Sequence, residues 1–221
     1  TSAAEQKATL APGAASLRFG GRWLAGREPR LLPRTLQAGS PSRRWRIGHR
    51  PPNFPVMIPL IDDVRRVLLR DLDTLADQLQ RYPAEDRIWA PLGDVPNSAG
   101  TLALHLTGNL QHYIGAVLGR SGYVRDRPGE FADRDVSRAQ LLARIEATRE
   151  AVDETLGKLD PARLDEPFPV PIGGVTLPTG RQLLHFATHF AYHLGQVDYH
   201  RRAVTGDGTG VGAQSVPALA D

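Results

Sequence analysis

The chain of 221 residues contains no cysteine. That excludes disulfides, a cysteine nucleophile and thiolate metal ligation, so any metal must be held by histidine and carboxylate. The absence does not by itself fix a compartment. No apolar run approaches the length needed to cross a bilayer, so no membrane partner is expected and we take the protein as cytoplasmic. Basic charge is also missing where nucleic acid would need it. The net charge is +3, but residues 1–56 hold 10 Lys and Arg against 2 Asp and Glu, a net of +8. The remainder has a net of −5. No basic stripe is left on the body to follow a phosphate backbone.

The only methionine is Met57. Before it lies an Ala, Gly, Pro, Ser and Arg-rich segment with no sustained period, read as a disordered basic extension over 1–56. Met57 reads as the natural start. A transit peptide is the rival for 1–56, which is Arg-rich and acid-poor but lacks a clean amphipathic helix. From Met57 helical periodicity begins, and the body is assigned to 57–203. The remainder, 204–221, is Gly, Ala and Ser-rich and reads as a disordered tail.

Four helices are predicted. The first runs from about Pro59 to Arg81 on Ile61, Val64, Leu68, Leu72, Leu75 and Leu79. The second runs from an N-cap at Ser98 to Leu118 on Leu102, Leu106, Leu110, Tyr113 and Val117. The third starts at Ser137 and ends near Pro161, on Leu141, Ile145, Thr148, Val152, Leu156 and Leu159. The fourth, capped by Thr179, runs to Ala203 on Leu183, Ala187, Phe190, Leu194 and Val197. The fold class is therefore all-α, a four-helix bundle with terminal tails. The connections are long, so a simple up-down order is not assured. EPFPVPIGGVTLP before the fourth helix suggests a short hairpin.

The fourth helix carries a histidine ladder: His185, His189 and His193 recur every four residues in LLHFATHFAYHLGQ. Residues four apart lie one above the other, so neighbouring imidazoles can grip one ion. On the helical wheel His189 and His193 fall on the shoulder of the apolar stripe. His105 falls on the shoulder of the second helix, with Asn109 one turn on and nearer its centre. Three imidazoles from two helices would leave coordination positions open, as a catalytic metal requires. With 7 histidines in the chain, an i,i+4 pair alone is weak evidence. A buried histidine satisfying a carbonyl is the competing reading. His185 lies further from the stripe, His112 toward an edge, His200 near the helix end and His49 in the extension; none is assigned as a ligand. Phe190 follows His189, so the base of a zinc protease is missing from its usual place.

The order of Trp89, PNSAGTLALHLTGNL, RDRPGEF and LLHFATHFAYHLGQVDYHRR resembles the DinB/YfiT-like superfamily of metalloenzymes, closest to a bacterial branch. The resemblance covers about Met57 to Arg202. It implies a four-helix bundle with a non-sequential helix order. It implies a divalent metal (zinc, nickel or iron) held by one histidine of the second helix and a pair on the fourth, here His105, His189 and His193. Related chains often carry an acid just before the first histidine of the pair; here that position is Thr188. Some relatives transfer low-molecular-weight thiols, and one is a thiol-dependent isomerase.

The resemblance thus implies a metal-dependent thiol S-transferase acting on small electrophiles, with an external thiol as cofactor. A metal-dependent hydrolase is the alternative, and Glu130 and Asp126 are then the available bases, although solvated loop charges are the simpler reading of both. A non-catalytic metal-binding bundle is the third reading. Asn109 and Gln196 lie near the ligand faces and could orient a ligand or substrate. Tyr192 lies close to the ladder and could donate to substrate, though an exposed tyrosine is the simpler account. Trp89 is expected to pack over the end of the bundle. A small molecule is the expected partner, and a homodimer is left open.

Overall fold

A computed structural model describes residues 60–212 and 215–219. The basic segment 1–56 and the expected start at Met57 lie outside the described residues. Helix α1 spans Leu60–Gln80 and α2 spans Ala99–Leu110, continuing as a π-helix over Gln111–Leu118. A short helix, α3, covers Arg127–Ala132, α4 covers Arg138–Gly157 and α5 covers Thr179–Thr205. No residue among those described is in a β-strand.

The expected stripe of α1 is buried throughout: Ile61, Val64, Leu68, Leu72, Leu75 and Leu79 all enter the core. Each such side chain taken from water stabilises the fold by about 1.5–3 kcal/mol before ordering costs. Ser98 caps α2, its hydroxyl accepting from the Thr101 amide at 3.2 Å. Ser137 and Gln140 form a reciprocal capping box on α4. Thr179 differs from expectation. It is the first helical residue, and its hydroxyl donates to the Glu166 carbonyl at 3.1 Å.

The π-helical end of α2 changes which residues face inward. The Gly119 amide reaches back five residues to the Ile114 carbonyl at 2.9 Å. The wider turn rotates the buried face, so Ile114 and Gly115 are buried while Tyr113 and Val117 are only half-buried.

The helices form a ring in the order α1, α4, α2, α5. α1 packs on α4 and α5, and α2 packs on the same two. Arg65 pairs with Asp153 and Arg149 with Asp73, so α1 and α4 run antiparallel. Gln78 near the end of α1 bonds Asp198 near the end of α5, so those two run parallel. Consecutive helices α1 and α2 thus occupy opposite corners, as do α4 and α5. The order is non-sequential.

Gly115 lies against Ala151 and Gly119 against Thr155, so α2 and α4 run parallel and the connection between them joins two parallel helices. It must return along the whole of α2, and α3 rides on this return leg, packed against α2. Trp89 closes the same end of the bundle. It is half-buried, lies against Gly100 and donates from Nε1 to the Val136 carbonyl at 3.2 Å.

The Pro/Gly segment before α5 is a hairpin-like loop made of isolated bridges. Ile172 and Val175 exchange backbone hydrogen bonds of 2.9 and 3.1 Å. Gly173 and Gly174 between them adopt φ of 59° and 80°, the pair of positive values that a tight type I′ turn requires.

α5 runs two residues past its expected end, and the chain after it is docked. Arg201 is fully buried. It donates to Gln78 at 2.6 Å, to Asp207 at 3.1 Å and to the Thr209 carbonyl at 2.5 Å. Pro217–Leu219 form a single turn against α1. The first part of the expected disordered tail is thus held by a side chain of the bundle itself. No described helix is long and apolar enough to cross a membrane.

Candidate metal centre

His105, on α2, and His189 and His193, on α5, meet between the two helices. One nitrogen of each lies within 4.8 Å of the others. The Nε2 atoms of His105 and His189 are 3.4 Å apart. Ring centroids lie 5.3 Å apart for His105 and His189, 5.4 Å for His105 and His193, and 4.7 Å for His189 and His193. No further His, Asp or Glu among the described residues joins the cluster.

His105 is buried and the two α5 histidines are half-buried. The wheel placed His105 on a shoulder and Asn109 nearer the core, and the structure reverses this. His105 is buried and Asn109 half-buried, because α3 covers the outer side of α2. Burial pushes the His189 imidazole down to about 4, with repulsion from His193, His105, His185 and Arg125 adding to it. His193 is lowered by burial and by His105, against a hydrogen bond to Gln196 that raises it. Both are neutral at pH 7, which is the ligating form.

Hydrogen bonds point the ring nitrogens. His193 Nδ1 lies 2.7 Å from Gln196 Oε1, an acceptor, so Nδ1 carries the proton and Nε2 is free. His105 Nδ1 lies 3.0 Å from Glu130 Oε2 on α3. Arg125 grips the same carboxylate through two nitrogens at 2.6 and 2.8 Å. Burial alone would raise the Glu130 carboxyl; the bonds from His105 and Arg125 outweigh it and hold the group below the usual range. The reading of Glu130 as a solvated loop charge is corrected: it is 6% exposed. Gly108 makes this possible, since a Cβ there would collide with the Glu130 carboxylate.

The donor set fits a divalent ion of the zinc, nickel or iron class. Three imidazoles converge, and two have their second nitrogen held by an acceptor, the usual support for a ligating histidine.

The other sequence candidates separate. Asp126 caps α3, accepting from the Gly129 amide at 3.0 Å. Asn109 Oδ1 is buried with no hydrogen-bond partner among the described residues. Tyr192 is 66% exposed, its ring 5.1 Å from His193. His185 is exposed, 5.9 Å from His189 between ring centres. His112 packs on Tyr113 outside the cluster. His200 is structural: it bridges the Tyr82 hydroxyl at 2.7 Å and the Ala90 carbonyl at 2.8 Å. Thr188, at the position where related chains often carry an acid, is exposed and donates to the His185 carbonyl at 3.0 Å. Arg125 was not singled out from the sequence. It lies five residues before Glu130 across a loop, a spacing with no helical meaning.

No curated protein and no solved structure matches the chain. The family model of the DinB superfamily matches residues 60–197. That span begins with α1 and includes all three clustered histidines together with Glu130. Bundle, ring order and matched span agree, and the chain belongs to the DinB superfamily.

Proposed function

We propose that the protein binds one divalent metal through His105, His189 and His193, and uses it to transfer a low-molecular-weight thiol to a small electrophile. The observation that carries this reading is the convergence of three imidazole nitrogens within 4.8 Å on two helices, with no carboxylate among the described residues closing the set. A divalent metal held this way supplies Lewis acidity that favours the deprotonated form of a thiol or water. His105, from the buried side, and His189 and His193, from the half-buried side, would fix the ion at the protein surface. Gln196 and Glu130 would keep His193 and His105 with Nδ1 protonated. The exposed Tyr192, next to His193, and the half-buried Asn109, one turn on from His105, are the groups available to orient a substrate.

The hydrolase reading has less support. Glu130 faces His105 Nδ1, on the side of the ring away from the cluster, and Asp126 is engaged in capping α3. Neither is placed to take a proton beside Nε2. The absence of cysteine is compatible with a thiol that arrives from outside.

Elemental analysis of the full chain, purified without chelator or affinity histidines, tests the metal. About one metal per chain in the parent, and none in His189→Ala, is the expected result by the ligand count. Consumption of a thiol in the presence of an electrophile should then follow metal content. Absence of metal in the parent after reconstitution would remove the basis of this reading.

A further inference from the structure

Glu130 and Arg125 form a buried ion pair on a return leg that is not part of the four-helix core. Arg125 already satisfies the carboxylate bidentately, at 2.6 and 2.8 Å. A structural pair would need no more. Yet Glu130 makes a third contact, 3.0 Å to His105 Nδ1, and Phe131 beside it packs on the His105 ring at 5.1 Å. Two successive residues of α3 therefore bear on one imidazole. Arg125 donates both of its bonds to the Glu130 carboxylate, which is therefore an acceptor, and the proton between Glu130 and His105 comes from the ring. Arg125 Nη2 lies 3.5 Å from the same Nδ1 but makes its shorter bond, 2.8 Å, to Glu130 Oε2.

We infer that Glu130, held by Arg125, is the positioning residue that fixes His105 with its proton on Nδ1 and presents the Nε2 lone pair to the metal. The inference rests on the metal-centre reading above. α3 acts as a clamp, with Phe131 setting the ring plane and Glu130 the tautomer. Arg125 keeps the clamp electrically neutral, so the ion's positive charge is not offset from behind His105. Gly108 is the gap through which the carboxylate reaches.

Glu130→Gln is the test, since the amide has the same shape. Its single carbonyl is claimed by Arg125, which turns the amide N–H groups toward His105. The proton is then expected to move to Nε2. Nitrogen-15 NMR of the metal-free full chain should show His105 protonated on Nδ1 in the parent and on Nε2 in the variant. Zinc affinity should fall about 10–100-fold. Glu130→Ala, checked for its circular dichroism, should lose the tautomer preference and fall at least as far. Unchanged tautomer or unchanged zinc affinity in Glu130→Gln overturns the inference. A parent that binds no zinc overturns the metal-centre reading instead, and the tautomer comparison still decides what Glu130 does to His105.

Discussion

Gly108 and Gly195 are both helical glycines, on α2 and α5, yet the space around them differs. A Cβ at Gly195 would meet nothing within 4 Å, whereas one at Gly108 would strike the Glu130 carboxylate. Alanine favours a helix interior over glycine by about 0.8–1 kcal/mol. Gly195→Ala should therefore raise stability by about that much in urea denaturation. Gly108→Ala should show no such gain, and should weaken zinc binding about tenfold by displacing Glu130 from His105. Equal stabilisation by both, with zinc binding intact, would contradict the close approach. At this scale the sequence was partly legible. The i,i+4 spacing of His189 and His193 is a local property of one helix, so it could be read directly. That His105 faces them is not a local property, because α2 and α5 are neighbours only in the folded ring; its place on the shoulder of the second helix and the family resemblance pointed to it. Glu130 read as a loop charge because nothing local says that Arg125 folds back on it.

Among the elements, α1, α4 and α5 were legible because their apolar stripes are local and strong, with a capping box added on α4. α3 was missed, although Asp126 as N-cap, Pro128 in the first turn and Glu130 after it form a helix-start signature. Six residues are too few to display a period. The π-helical end of α2 was invisible for a related reason: a 3.6-residue pattern cannot announce its own interruption. The last turn of α5 carries the clearest energetic expectation. Arg201 is fully buried and serves Gln78, Asp207 and Thr209 together. Removing the guanidinium leaves the buried Gln78 Oε1 without its donor, a cost of about 1–3 kcal/mol. Arg201→Ala should show a loss of that size in chemical denaturation and faster amide exchange over residues 207–209. By contrast Arg65, paired with Asp153 at a partly exposed edge, should matter by less than about 1 kcal/mol. If the two substitutions cost the same, Arg201 does not dock the segment.

Seen whole, the molecule gathers several neutral histidines in one bundle, and that couples its stability to pH. His189 is lowered to about 4, and His193 and His200 are lowered too, each by burial first. Their ordinary value is 6.5. The unfolded chain takes up protons below that value while the folded one resists. The stability from these groups is complete above pH 6.5 and is lost as pH falls toward about 4. Melting temperature measured from pH 7.5 downward should fall in this window, and His189→Gln should make the fall shallower. An unchanged slope in that variant would mean that His189 titrates normally. The helix ring itself was not readable from periodicity, which gives faces but not partners. Only the long connections hinted at it, and the family resemblance implied no more than that the order is non-sequential.

The parallel pairing of α2 and α4 has one more consequence. With about 1.5 Å of rise per residue, the 20 residues of α2 and its π-helical extension oblige the chain to travel back about 30 Å before α4 can begin. That path is compulsory in length and direction, although the four-helix ring is built without it. The chain has placed Arg125 and Glu130 in that stretch, with α3 packed against α2. The topology that separates α2 from α4 thus also brings a strip of chain from outside the ring up against His105.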